Sequence, residues 1–146
     1  MELTIDQALQ KGIEAHKAGQ IHEADKYYTS ILKVQPAHPD ANHNMGVLAV
    51  DIGKLEQSIP YFKKAIEVNF RVDQFWISYV GALLNLKRVK DAERELKKAQ
   101  DKRVNKKTLN KLAKKISYAS QKLSKTFLKD PPENDLKKLS KLFYNN

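Results

Sequence analysis

The chain has 146 residues and no cysteine, and its 27 Lys/Arg against 17 Asp/Glu leave a formal charge of +10. That length suffices for one modest core, and the absence of thiols excludes disulfides and thiolate ligation, which fits a reducing compartment. No apolar run approaches the roughly 18 residues of a membrane span, and the start MELTIDQALQKG carries no basic and apolar signal segments, so a soluble, cytoplasmic protein is expected.

Charge is unevenly placed. Residues 1–100 hold 14 basic and 13 acidic side chains, whereas residues 101–146 hold 13 and 4. Only Arg71, Arg88, Arg94 and Arg103 of the basic residues are arginine. Arginine is the residue that clamps phosphate in a bidentate fork, so a lysine-only excess also fits a compositional bias of the source.

A pattern recurs every 34 residues. Gly12, Gly19, Ala24, Tyr28 and Pro36 align with Gly46, Gly53, Ser58, Phe62 and Phe70, and Trp76, Tyr79, Ala92, Leu96 and Ala99 continue the register without insertion. Small and aromatic residues at this period mark a helix-turn-helix solenoid, whose units bury their apolar faces only by stacking. Helix breakers fall between the elements, which predicts paired helices at 5–18 and 21–34, 38–52 and 55–68, and 73–86 and 89–101. Gly12 and Gly46 admit the partner helix, and the aromatics Tyr28 and Phe62 fill the space between units. Pro60 near the start of one helix is expected to cost a backbone hydrogen bond.

These residues resemble tetratricopeptide repeats, three in tandem at about 5–36, 38–70 and 73–101 within residues 1–101. Unit three departs from the pattern: its glycine slips to Gly81, Lys87 replaces the turn glycine, and Phe70 replaces the proline that closes unit two. An altered turn into unit three is therefore expected. The segment from Gln74 to Tyr79 also resembles bacterial repeat arrays that precede glycosyltransferase or sulfotransferase domains.

Beyond residue 104, Leu109, Leu112, Ile116, Ala119, Leu123 and Phe127 follow an i, i+3, i+4 stripe, with Lys107, Lys111, Lys114, Lys115, Lys122, Lys125 and Lys129 on the other side. This predicts one amphipathic helix over 105–128, ended by Asp130-Pro131-Pro132, within a basic capping segment at 102–130. Leu136, Leu139, Leu142 and Phe143 then read as the first helix of an incomplete further unit at 131–146. That end implies a piece of a longer protein, or an apolar edge for self-association; a short helix docked on the long one fits the same residues.

The expected class is all-α, a right-handed solenoid of three repeats with a long capping helix. No motif of a phosphate loop, nucleophile elbow or zinc protease is present, so no enzyme activity, cofactor or metal is expected. His16 and His43 would both face the inner surface, but two imidazoles with no carboxylate in register make a poor metal site. Glu93 and Glu95, two residues apart, read as solvated charges.

What the resemblance implies about the site is a concave groove lined by the first helix of each unit. Its second, fifth, ninth, twelfth and thirteenth positions are Asp6, Leu9, Ile13, His16 and Lys17; then Asp40, His43, Val47, Val50 and Asp51; then Gln74, Ile77, Gly81, Leu84 and Asn85. Chaperone-binding members clamp a carboxylate with lysine and asparagine where this chain has Leu9 and Ile13, so that activity is not expected. The implied partner is an apolar peptide or helix, unless the 105–128 helix or another subunit fills the groove. Weak, sequence-independent binding of nucleic acid or another anionic surface through Lys107, Lys111, Lys114, Lys115, Lys122 and Lys125 is the alternative, although nucleic acid is not the expected partner, since Tyr118 is the only aromatic interleaved there and no arginine lies on that face. A further alternative is a substrate-presenting arm of a transferase whose catalytic domain lies elsewhere.

Overall fold

A computed structural model describes residues 2–129, with side chains up to Thr126. Seven helices follow in chain order: α1 Ile5–Lys17, α2 Ile21–Val34, α3 Pro39–Asp51, α4 Leu55–Val68, α5 Asp73–Asn85, α6 Val89–Asp101 and α7 Lys106–Lys129. None of them is long and apolar enough to cross a membrane. Phe127 and the expected further helix at 131–146 lie outside the described side chains and residues respectively.

The local sequence explains each boundary. Thr4 and Gln7 form a capping box at the start of α1: the Gln7 amide donates to Thr4 Oγ1 at 3.1 Å, and the Thr4 amide donates to Gln7 Oε1 at 2.9 Å. Pro39 opens α3, where its missing N–H costs nothing, and the Ala41 amide donates to His38 Nδ1 at 3.1 Å. α1, α3 and α5 end in the same tight turn, with Gly19 at φ +75° and Gly53 at +80°. Lys87 adopts φ +59° at the third such turn, so the solenoid keeps its turn at a small conformational cost.

The helices pack in pairs, α1 on α2, α3 on α4 and α5 on α6, and each second helix then meets the first helix of the next unit. A Cβ at Gly12 would lie 2.6 Å from Tyr28 Cε1, and one at Gly46 would lie 2.6 Å from Phe62 Cε1. Glycine is what lets these rings reach the α1 and α3 backbones. The core runs from Ala8, Ile31 and Ala41, through Tyr28 and Leu48, to Phe62, Trp76, Val80 and Leu83, and on to Leu112 and Ile116 in α7.

The turn into unit three does not differ as expected. Asn69 ends α4 at φ −144°, ψ 87°, close to Gln35 at the end of α2 with φ −129°, ψ 85°. A side chain six residues downstream holds each turn. Asn42 Nδ2 donates to the Pro36 carbonyl at 3.0 Å, and Trp76 Nε1 donates to the Phe70 carbonyl at 2.8 Å. Phe70 therefore replaces proline without changing the path, because the holding contact goes to a backbone oxygen. The connection that does differ follows unit three. α6 ends as the first helices do, with Lys102 at φ −82°, ψ 2° and Arg103 at φ +58°, before α7 begins.

Candidate functional site

The three first helices present the same exposure pattern. Their fifth, ninth and twelfth positions are half-buried in every unit: Leu9, Ile13 and His16; His43, Val47 and Val50; Ile77, Gly81 and Leu84. Their second and thirteenth positions are exposed in every unit: Asp6 and Lys17, Asp40 and Asp51, Gln74 and Asn85. An apolar centre thus runs across α1, α3 and α5, between two polar margins. Val47, Val50, Ile77 and Leu84 pack against the edge of the larger core cluster, and Leu9 packs against the two N-terminal ones.

Two polar clasps tie neighbouring first helices together across this face. His16 Nε2 lies 2.6 Å from Asp51 Oδ2, and His43 Nε2 lies 2.8 Å from Ser78 Oγ. Both pairs are separated by 35 residues, one more than the repeat, as expected for side chains leaning toward the next helix. Gln74 Nε2 donates to the same Ser78 oxygen at 3.1 Å. The His43 ring stacks on Phe75 at 4.9 Å between centroids and tilts against Phe62 at 5.6 Å. Burial holds its imidazole below the ordinary 6.5, against smaller upward effects of Asn44 and Asp40.

Two expectations are corrected here. A carboxylate, Asp51, does stand in register with His16, and it serves as a strut between units one and two. Among the described residues no group of three His, Cys, Asp or Glu is placed to hold a metal ion. Glu95 is not a solvated charge: its side chain is 13% exposed, accepts from Lys98 Nζ at 3.0 Å, and lies beside Tyr79. Burial and that carboxylate together push the Tyr79 phenol up to about 12. Ser78 and Phe75 fall outside the five lining positions, and for Ser78 the 35-residue offset from His43 is the signal in the sequence.

The model of the tetratricopeptide repeat matches residues 39–71, which are unit two. Solved structures extend the likeness over the whole array. The type III secretion translocator chaperone SycD of Yersinia enterocolitica superposes with a TM-score of 0.70 at 15% identity, over 84% of this chain and 90% of that one. The fold is that of solenoids built from tetratricopeptide repeats. SycD in complex with a peptide of the translocator YopD gives a TM-score of 0.68 at 18% identity, covering 86% of this chain and 97% of that one. The first tetratricopeptide domain of Spaghetti (RPAP3), bound to the HSP90 peptide SRMEEVD, gives 0.65 at 20% identity, covering 82% and 95%. Within this solenoid α7 packs against α6 and α5, the two helices that the first helix of an added repeat would meet. Leu112 and Ile116 are buried there, with Leu109, Ala119 and Leu123 half-buried. Among the described residues α7 has no packing on α1 or α3, so the described part of α7 does not cover the faces of units one and two.

Proposed function

We propose that this chain is a non-catalytic protein-interaction scaffold that binds an apolar peptide or amphipathic helix of a partner along α1, α3 and α5. The observation that carries the reading is the half-buried strip of Leu9, Ile13, Val47, Val50, Ile77 and Leu84, repeated in register and left uncovered by the described part of α7 over units one and two. A strip of this kind marks a recognition surface. Laying the apolar face of a helix in such a groove gains area burial while the polar margins set register. His16 and His43, each clasped to the following unit, offer polar contacts within the strip, and the exposed Asn85 offers one at its margin. Two structural neighbours are seen with peptides bound, which supports the same mode of use.

The test pairs two variants in affinity capture from a nuclease-treated lysate. Val47→Asp/Ile77→Asp is expected to lose a partner that the wild-type protein retains. Val47→Ser/Ile77→Ser is expected to weaken it with less strain on the adjoining core. Circular dichroism melts establish that both remain folded. Retention of the same partner by two folded variants would remove the groove as the site.

A further inference from the structure

The arginines divide into two pairs. Arg88 and Arg94 both engage Asp91, and Arg88 also reaches Glu56 at 3.6 Å. Arg71 and Arg103 meet no carboxylate among the described residues and instead line one hollow of about 450 Å³ with Lys102, Phe70, Asp73, Val104 and Asn105. Lys102 Nζ stands 4.7 Å from the centre of the Phe70 ring and Arg71 Cζ stands 5.8 Å from it, so two cationic heads gather on one aromatic side chain. The hollow adjoins the start of α7.

From there the charge continues. Residues 102–129 contain ten Lys/Arg and no acidic residue. Lys107, Lys111, Lys114, Lys115, Lys122 and Lys125 are all exposed, and no α7 side chain enters an ion pair among the described residues. At helical geometry these six fall within an arc of about 100° and a length of about 27 Å. Tyr118 stands inside that arc, with Lys114 and Lys115 four and three residues before it and Lys122 four residues after it, and the residue is 69% exposed.

We infer that α7 and the Arg71–Lys102–Arg103 hollow form a binding track for single-stranded nucleic acid. Phosphates lie along the lysines and enter the hollow, where arginine forks hold them, and an unpaired base stacks on Tyr118. A duplex offers no free base face to that ring. A bilayer is the poorer fit, because a membrane-lying helix buries apolar side chains on the face it presents, whereas the apolar side of α7 is turned onto α5 and α6. The track is independent of the groove and does not rest on its proposed use.

The test is fluorescence anisotropy of the full chain with a labelled oligo(dT) of about 20 nucleotides, beside a duplex of equal length and vesicles containing phosphatidylserine. Engagement of about five phosphates predicts a log–log salt slope of about −3.5, which weakens binding about a hundredfold between roughly 50 and 200 mM salt. Lys111→Gln/Lys115→Gln/Lys122→Gln is expected to weaken oligo(dT) binding more than tenfold, and Tyr118→Ala about tenfold. Arg71→Gln/Arg103→Gln is expected to weaken it severalfold, with melting temperatures unchanged because all these side chains are exposed. Absence of saturable binding at low salt would overturn the proposal, as would capture by vesicles without oligo(dT) binding. Unchanged affinity in Tyr118→Ala would equally overturn it, by reducing the track to a generic cationic surface.

Discussion

Gly46 and His43 show, three residues apart on α3, how single side chains set this structure. A methyl group at Gly46 would meet three Phe62 ring atoms at 2.6 to 2.9 Å, and both the α3 backbone and a fully buried ring would have to give. Gly46→Ala is therefore expected to destabilise the fold by about 1–3 kcal/mol through overpacking, outweighing the gain in helix propensity of about 1 kcal/mol; urea denaturation measures it. His43 makes stability depend on pH in a definite sense. Its folded value lies below the ordinary 6.5, so the unfolded chain takes up the proton first as pH falls. The contribution of neutral His43 is present above 6.5 and declines below it, towards the folded value. Urea midpoints at about pH 7.5 and pH 5.5 are expected to show a smaller decrement in His43→Phe than in the wild type. An equal decrement would assign the effect to other groups.

At the scale of the element, α4 carries the clearest internal conflict. Pro60 is the sixth residue of this helix, exposed, and without an amide for the Glu56 carbonyl. The helix continues because Ile59, Phe62, Ala65 and Ile66 are buried on its other side, and tertiary burial outweighs a local cost of up to about 3 kcal/mol. Pro60→Ala should thus raise the thermal midpoint, and a drop would mean that the proline itself contributes to the folded state. α7 shows the complementary case. Its sequence specifies an amphipathic helix but leaves open what the stripe covers, and packing on α5 and α6 answers that. Leu112 is fully buried at this contact, so Leu112→Ala is expected to cost about 2–5 kcal/mol. The melt should remain a single transition, since the core runs without interruption from α4 through α7. A separate early loss of α7 helicity would mean that the cap folds apart from the repeats.

For the whole molecule, stacking creates a property that no unit has alone. Each first helix supplies two apolar residues flanked by polar ones, and only three such helices side by side make a continuous strip. The His16–Asp51 and His43–Ser78 clasps bind adjacent first helices, and so set the spacing of the strip as well as its edges. Cationic charge collects at the C-terminal end of the array, on the side of α7 turned away from the repeats. The proposed peptide groove and the proposed nucleic-acid track therefore use different residues and are separable by mutation.

The sequence by itself determined the helices, their pairing and the solenoid class. A period of 34 residues, with small and aromatic residues at fixed positions, admits few other ways of burying the apolar faces. The fifteen proposed lining positions came from the family resemblance, and the repeat gives equivalent positions the same exposure in each unit. Only the tertiary structure decided what crosses between units. Asp51 beside His16, Ser78 beside His43, and Trp76 holding the Phe70 carbonyl are contacts 6 to 35 residues apart in sequence. Side-chain direction, rather than spacing alone, brings them together. The turn into unit three kept its path despite losing its proline, because a carbonyl accepts a hydrogen bond whatever side chain its residue bears. The place of α7 was likewise decided in three dimensions, since an apolar stripe specifies that a surface must be covered but not which surface covers it.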